Sequence, residues 1–343
     1  MKKVFYSFVI IVSIVLGVKG WNTYKRLYVS NVSIVNKSSI FINIPTGSTF
    51  EDVKRILVEQ NIVKNIASFE WVSEKLNYVH YVKPGRYKIN SGINNKLLVG
   101  LLRSGQQTPV KLKFSNARNI NVLARVIDSQ LEFDSAQFVQ YFENEQKLKG
   151  MGFNKANSIA MFIPNTYEVY WNISIDEFAE KMNKEYDRFW NEKRKTSLDK
   201  VGLNKIEVSI LASIINEESS KPKEYETIAG LYINRLRRNM PLQADPTVKF
   251  GLGDFTIKRI LLKHLEVNSP YNTYKNTGLP PGPICMPSIS AIDAVLNYKE
   301  HKYLYFCAKS DFSGYHTFAT TLMQHNQNAK AYQAALNKMK IYK

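Results

Sequence analysis

Apolar residues follow three different rhythms along the chain, and the first is an apolar run from Val4 to Val18, set between Met1-Lys2-Lys3 and Lys19-Gly20-Trp21. A basic start followed by an apolar stretch is the pattern of a secretory signal or a signal anchor. The run is shorter than the ~20 apolar residues that usually cross a bilayer, and Trp21 and Tyr24 extend it as interfacial anchors. No small-x-small cleavage site follows Gly17, and no lipobox cysteine is present. The pattern predicts an uncleaved transmembrane anchor over 4–21, with residues 1–3 as a cytoplasmic tip and the remainder exported. A cleaved signal peptide is the alternative.

The second rhythm begins after a polar stem at 22–38. Ile40 to Ile44 is rich in β-branched and aromatic residues, fitting a strand. Pro45-Thr46-Gly47 turns the chain, and Ser48-x-x-Glu51 reads as a capping box before a helix over 50–60. A helix over 66–75, a strand over 86–90 with Tyr87 and Ile89 on one face, a helix over 96–103 ended by Gly105, and a strand over 110–114 follow. Residues 39–114 thus form a small α+β module.

The third rhythm is helical. From 115 to 200 apolar positions recur at three- and four-residue spacing, as in Val122, Val126 and Ile127 or Phe178, Met182 and Tyr186. Met161-Phe162-Ile163-Pro164-Asn165 interrupts it, because a proline cannot sit inside a helix. Beyond 200, a helix over 206–218 opens a region dense in turns, and Tyr303-Leu304-Tyr305-Phe306 reads as a buried strand. The fold class expected is α+β, with an amino-terminal transmembrane helix, the small module, a helical connecting region over 115–200 and a mixed α+β domain over 201–343.

Composition narrows the choice of partners. Lys and Arg outnumber Asp and Glu by 47 to 29, a net charge of +18, which suits a polyanion: nucleic acid, an anionic membrane face or a carboxylate-rich wall polymer. The basic residues are scattered, without the arginine blocks or RNP-type aromatic motifs of nucleic-acid binders, so no nucleic acid is expected. Cys285 and Cys307 cannot build a zinc site alone and read as two small buried residues, with a disulfide as the alternative. No metal-ligand cluster or phosphate loop is present in the pattern, so no cofactor is expected.

The chemistry concentrates in Ile206–Ser220. On a helix of 100° per residue, Ile206, Val208, Ile210, Leu211, Ile214 and Ile215 define an apolar arc, with Glu218 within roughly 20° of its centre and Glu217 about 80° away. A carboxyl on that face, at the carboxy end of a helix, feels desolvation and the negative end of the macrodipole, and both raise its pKa. A carboxylic acid held protonated near neutral pH is what glycosidic cleavage requires of its general acid. The helix geometry serves equally well for an ion pair of Glu218 with Arg235 or Arg237. Glu207, at the helix start, reads as structural. The following loops are rich in Asn, Gln, Tyr and His, a mixture that suits sugar hydroxyls, acetamido groups and pyranose faces.

Ala212-Ser213-Ile214-Ile215-Asn216-Glu217-Glu218 and Ala229-Gly230-Leu231-Tyr232-Ile233-Asn234-Arg235-Leu236 resemble the endolytic murein transglycosylase (YceG-like) family. So do Met240-Pro241-Leu242-Gln243-Ala244-Asp245-Pro246-Thr247-Val248, Tyr271-Asn272-Thr273-Tyr274, Gly278-Leu279-Pro280-Pro281-Gly282 and His316-Thr317-Phe318. The resemblance covers nearly the whole chain. It implies a single anchor, a LysM-like module at 39–114 and a catalytic domain at 201–343. The family helix reads Ala-Ser-Ile-x-Glu-x-Glu-Thr with its second glutamate catalytic, which selects Glu218; this chain carries Asn216 at the first glutamate and Ser219 at the threonine. It also departs at Ala160–Tyr167, where the family usually shows Glu-Gly-x-Leu-Phe-Pro-Asp-Thr-Tyr.

The resemblance implies a lyase of the bacterial inner membrane. Glu218 would cut the MurNAc–GlcNAc β-1,4 bond of peptidoglycan glycan strands without water, near proteins of cell-wall synthesis, and leave 1,6-anhydro-MurNAc ends. Asn234, Gln243, Asp245, Tyr271, Asn272, Tyr274 and His316 are the candidate cleft residues. Two rivals are a muramidase-type hydrolase with Asp245 or Asp254 as a second carboxylate, and a non-catalytic wall-binding scaffold. For Asp245 the plainer reading is a turn-ending cap, and for His316 a satisfied structural histidine.

Overall fold

A computed structural model of the chain describes residues 2–257 and 259–339. The chain divides into two compact units: residues 1–112 with 130–133 and 167–173, and residues 113–129, 134–166 and 174–343.

The first unit begins with helix α1 (Lys2–Tyr28), none of whose residues is buried. Its length and composition suffice to cross a membrane. The helix continues beyond the apolar run, because its last carbonyls find partners: Asn95 Nδ2 donates to Arg26 O at 2.9 Å and Asn94 Nδ2 to Tyr28 O at 3.4 Å. Strand β1 (Ser39–Ile44), helices α2 (Phe50–Glu59) and α3 (Ile66–Lys75), strand β2 (Gly85–Asn90) and helix α4 (Asn95–Ser104) follow. β1 and β2 pair antiparallel from Ser39 opposite Asn90 to Ile44 opposite Gly85. Ile42, Ile44, Tyr87 and Ile89 face one core with Val53, Leu57, Phe69, Val72 and Leu98. The capping box lies one residue later than Ser48-x-x-Glu51 suggests. Thr49 accepts from Asp52 N and its own N–H reaches Asp52 at 2.8 Å, while Glu51 pairs with Lys54 at 2.8 Å.

Strand β3 (Val110–Phe114) leads to helices α5 (Ile120–Asp128), α6 (Ser135–Phe142) and α7 (Glu145–Lys149). Around Pro164 a 3-10 turn (Ser158–Met161) and strand β4 (Asn165–Val169) break the helical run, as the proline requires. Helices α8 (Ile175–Phe189), α9 (Glu192–Val201), α10 (Lys205–Glu218), α11 (Tyr225–Arg237), α12 (Asp245–Leu252) and α13 (Ile289–Leu296), strands β5 (Tyr305–Ala308) and β6 (His316–Ala319), and helix α14 (Leu322–Lys338) complete the chain. β5 and β6 pair antiparallel, Tyr305 opposite Ala319 and Ala308 opposite His316.

α10 is the axle of the second unit. Every residue from Val208 to Ile215 is buried, and the helix packs on α11, α12 and α13. A helix buried on all sides must satisfy its polar side chains internally. Ser213 Oγ donates to Ile210 O at 2.7 Å and accepts from Ile284 N at 3.0 Å, which fastens the loop after Pro280-Pro281 to the helix. At two points the backbone comes so close that only glycine fits. A Cβ on Gly230 would strike Lys299 O, and one on Gly282 would strike Ala156 O. The strand expected to be buried starts at Tyr305 and is half-buried along its length. Cys285 is buried and Cys307 half-buried, both free thiols.

Candidate active site

α10 starts on a capping box in which Asn204 accepts from Glu207 N and Glu207 Oε2 accepts from Asn204 N at 2.7 Å. That is the structural role expected of Glu207. From this start the helical period carries Glu218 to the last helical position, on the side of the apolar arc. Glu217 falls on the exposed side, 3.9 Å from Arg118 Nη2. Asn216, at the family's first glutamate position, accepts from Ser288 N at 3.3 Å and steadies the start of α13.

Glu218 opens on a cleft of about 290 Å³, lined further by Arg235, Leu242, Gln243, Asp245, Tyr274, Tyr305, Phe306, Leu322 and His325. The phenol of Tyr232 donates to Glu218 Oε1 at 2.7 Å. Burial pushes the Glu218 pKa up to about 7, Asp245's charge acts in the same direction, and the Tyr232 hydrogen bond and the charge of Arg235 hold it down. The ion pair that the sequence left open is not formed. Arg235 instead spends its guanidinium on Leu304 O at 2.6 Å, Pro241 O at 3.1 Å, Leu242 O at 3.0 Å and Gln243 Oε1 at 3.2 Å. Arg237 donates to the Tyr298 hydroxyl. A fork of five donors suits carbonyl collection, and Arg235 thereby shapes the wall of the cleft without neutralising its acid.

Two segments distant in sequence reach the cleft because hydroxyls tie them together. Gln243 N donates to Thr273 O at 3.0 Å, Ala244 N to Thr273 Oγ1 at 3.0 Å, and the hydroxyls of Thr247 and Thr273 lie 2.8 Å apart, all buried. Gln243 takes a left-handed backbone, φ 50°, as it enters the cleft. Opposite, Tyr274 donates its hydroxyl to Asp245 Oδ1 at 2.6 Å. Burial pushes the Tyr274 phenol up, and Asp245 adds to it.

The structure therefore gathers Gln243, Asp245 and Tyr274 around Glu218. It does not bring Asn234, Tyr271, Asn272 or His316 into the lining. Asn234 Nδ2 donates to His301 O and Tyr303 O, and Asn272 Nδ2 to Leu265 O and Val267 O, so both are loop braces. Tyr271 packs on Phe250 and lines a separate cavity with Arg118 and Pro283. His316 donates its backbone N–H to Glu224 Oε1 at 2.7 Å and holds Glu224 Oε2 through Nδ1 at 2.9 Å, and Ser219 Oγ reaches the same oxygen at 3.2 Å. Through Glu224 and Ser219, His316 holds the chain where it leaves α10. Asp254 is turned away, accepting from Thr256 N and Oγ1.

Tyr232, Tyr305, Phe306 and His325 are the site residues that the sequence did not single out. Tyr232 had one signal: a tyrosine on the buried face of an amphipathic helix needs a partner for its hydroxyl. The others come from β5 and α14 and depend on long-range packing.

A carboxyl at the end of a buried helix, with no salt-bridge partner among the described residues and open to a polar and aromatic cleft, marks the candidate site. The chain belongs to the YceG-like family, whose family model matches residues 42–331. It is 29% identical over 344 residues to an endolytic murein transglycosylase of Bacillus subtilis, covering 94% of this chain and 92% of that one. It is 25% identical to an endolytic murein transglycosylase of Streptococcus pneumoniae, over 80% of this chain and 55% of that one. A crystal structure of a yceG-like protein from Listeria monocytogenes superposes with a TM-score of 0.58 at 28% identity, covering 85% of this chain and 99% of that chain.

Proposed function

We propose that the protein is a lyase acting on peptidoglycan, an endolytic transglycosylase that cuts the MurNAc–GlcNAc β-1,4 bond within glycan strands with Glu218 as its only acid and base. The observation that carries this reading is the Glu218 carboxyl in its cleft, hydrogen-bonded by Tyr232, in no salt bridge with a described residue, and raised by burial to about 7. Near neutral pH a large share of it is protonated, as a general acid must be. In the first step the Glu218 proton passes to the glycosidic oxygen as the C1–O bond breaks. The carboxylate then takes the proton of the MurNAc C6 hydroxyl, whose oxygen closes on C1. The product is a 1,6-anhydro-MurNAc end, Glu218 is again protonated, and no water enters.

Asp245 in the same cleft favours one second reading, a muramidase in which a second carboxylate directs water. Glu218→Gln is expected to abolish release of fragments from purified strands. Mass spectrometry of wild-type products distinguishes the rest: anhydro ends support the lyase, reducing ends the hydrolase, and equal products from wild type and variant would return the protein to a wall-binding scaffold.

The supporting architecture is read in the same way. α1 serves as a single-pass anchor in the bacterial inner membrane with the catalytic unit outside. Residues 39–114 serve as a LysM-like module on the glycan, and proteins of cell-wall synthesis are the expected neighbours. The net charge of +18 suits a carboxylate-rich wall.

A further inference from the structure

One wall of the cleft carries a polar group to which neither the catalytic cycle nor the folding of the chain gives a task. His325, in the first turn of α14, lines the cleft that Glu218 opens on. Its ring stacks on Tyr305 with centroids 5.5 Å apart and planes 26° from parallel, and the Arg235 guanidinium lies 5.2 Å from the centre of the same Tyr305 ring. Nδ1 of His325 is buried and has no hydrogen-bond partner among the described residues.

Those facts fix the state of the ring. Arg235 already supplies one positive charge to this stack, and burial together with that charge disfavours a second on His325. The neutral imidazole carries one proton, and an N–H buried at Nδ1 would be an orphan donor. The proton therefore belongs on Nε2, the ring nitrogen that is not buried without a partner, and the stack on Tyr305 holds the plane of the ring.

We propose that His325 is a substrate-positioning residue whose Nε2–H donates to an acceptor oxygen of the bound glycan, a hydroxyl or an acetamido carbonyl, opposite Glu218. Tyr305 beneath it offers a pyranose-sized aromatic edge to the same sugar. This assignment rests on the reading of the cleft as a glycan site, and it holds whether the bond is cut by the lyase or the hydrolase route.

Gln and Asn separate the two ring nitrogens, since a Gln amide reaches the place of Nε2 and an Asn amide that of Nδ1. Each His325 variant is made in the full-length protein and in the Glu218→Gln background, where strand affinity is measured without turnover. Expected are a loss of affinity of roughly tenfold for His325→Ala, about the worth of one hydrogen bond, recovery of most of it by His325→Gln, and none by His325→Asn. KM is expected to rise more than kcat falls, with product ends unchanged. Strands with reduced acetamido content separate the two acceptors: loss of the Ala effect on them names the carbonyl, and its persistence names a hydroxyl. Wild-type affinity in His325→Ala, or equal behaviour of Gln and Asn at matched melting temperatures, would overturn the assignment. A failure of the lyase reading instead appears in the product ends, which these variants leave alone.

Discussion

Glu218 ionises near pH 7 because burial penalises its charge more than the phenol of Tyr232 and the charge of Arg235 relieve it. The acid form is the one that begins the proposed cycle, so kcat/KM is expected to fall as pH rises past about 7. Tyr232→Phe removes a hydrogen bond to the charged form, so the alkaline limb of the profile is expected to move upward by about one pH unit; an unmoved limb contradicts this. The same shift has a stability consequence of definite sign. Between pH 4.5 and 7 the folded chain keeps a proton on Glu218 that the unfolded chain releases. Its contribution is full below 4.5 and is lost as pH rises through 7. Glu218→Gln is therefore expected to melt higher than wild type at pH 8, by up to about 3 kcal/mol, and not at pH 4. The place of Glu218 on the buried arc was legible from a single helix period, while its choice as the acid rested on the family resemblance. His325 was not, because its surroundings come from β5 and α11, and no local rhythm reports that Tyr305 will meet it.

At the scale of elements, the close seating of α11 against the loop at Lys299 depends on Gly230. Alanine is the better helix former by about 1 kcal/mol, so propensity alone predicts that Gly230→Ala stabilises. The Lys299 carbonyl in the path of the new methyl reverses the sign, and a net loss of about 1–3 kcal/mol is expected in thermal melting. Glu224 is the second hinge of this region. Its carboxylate is buried and serves His316 twice and Ser219 once. Glu224→Ala leaves those donors unpaired and is expected to cost roughly 2–3 kcal/mol. Since Ser219 follows Glu218 directly, kcat is expected to suffer more than KM, and Glu224→Gln to restore part of both. Helices and caps were largely readable, since N-cap residues and amphipathic spacing are local; even the Thr49 box was displaced by only one residue. The roles of Asn234, Asn272 and His316 were not. Side chains that brace distant carbonyls and side chains that bind sugar are the same amides and imidazoles, and only the tertiary fold separates them.

At the scale of the whole chain, α1 and the rest of the first unit form one folding problem. α1 packs on α3 and α4, its end is capped by Asn94 and Asn95, and Arg26 lies over the Trp71 ring at 5.1 Å. Removing residues 2–20 is expected to release the purified protein from vesicles in flotation while leaving its melting temperature unchanged, since those residues bury nothing. Removing 2–30 is expected to lower it, because Asn94 and Asn95 lose their carbonyls. The sequence reading placed a polar stem at 22–38, directly after the apolar run. The apolar run ends at Val18, but the helix does not, and the amides that prolong it lie some seventy residues further along. A leash lets its cargo sweep a hemisphere whose radius grows with linker length. With α1 as the proposed membrane anchor, a post would confine the first unit to a shell one module thick above the bilayer. Splicing a flexible glycine-serine segment between Tyr28 and Val29 would convert post to leash without touching the cleft, and the reach of the module along a strand would then be set by the segment's length.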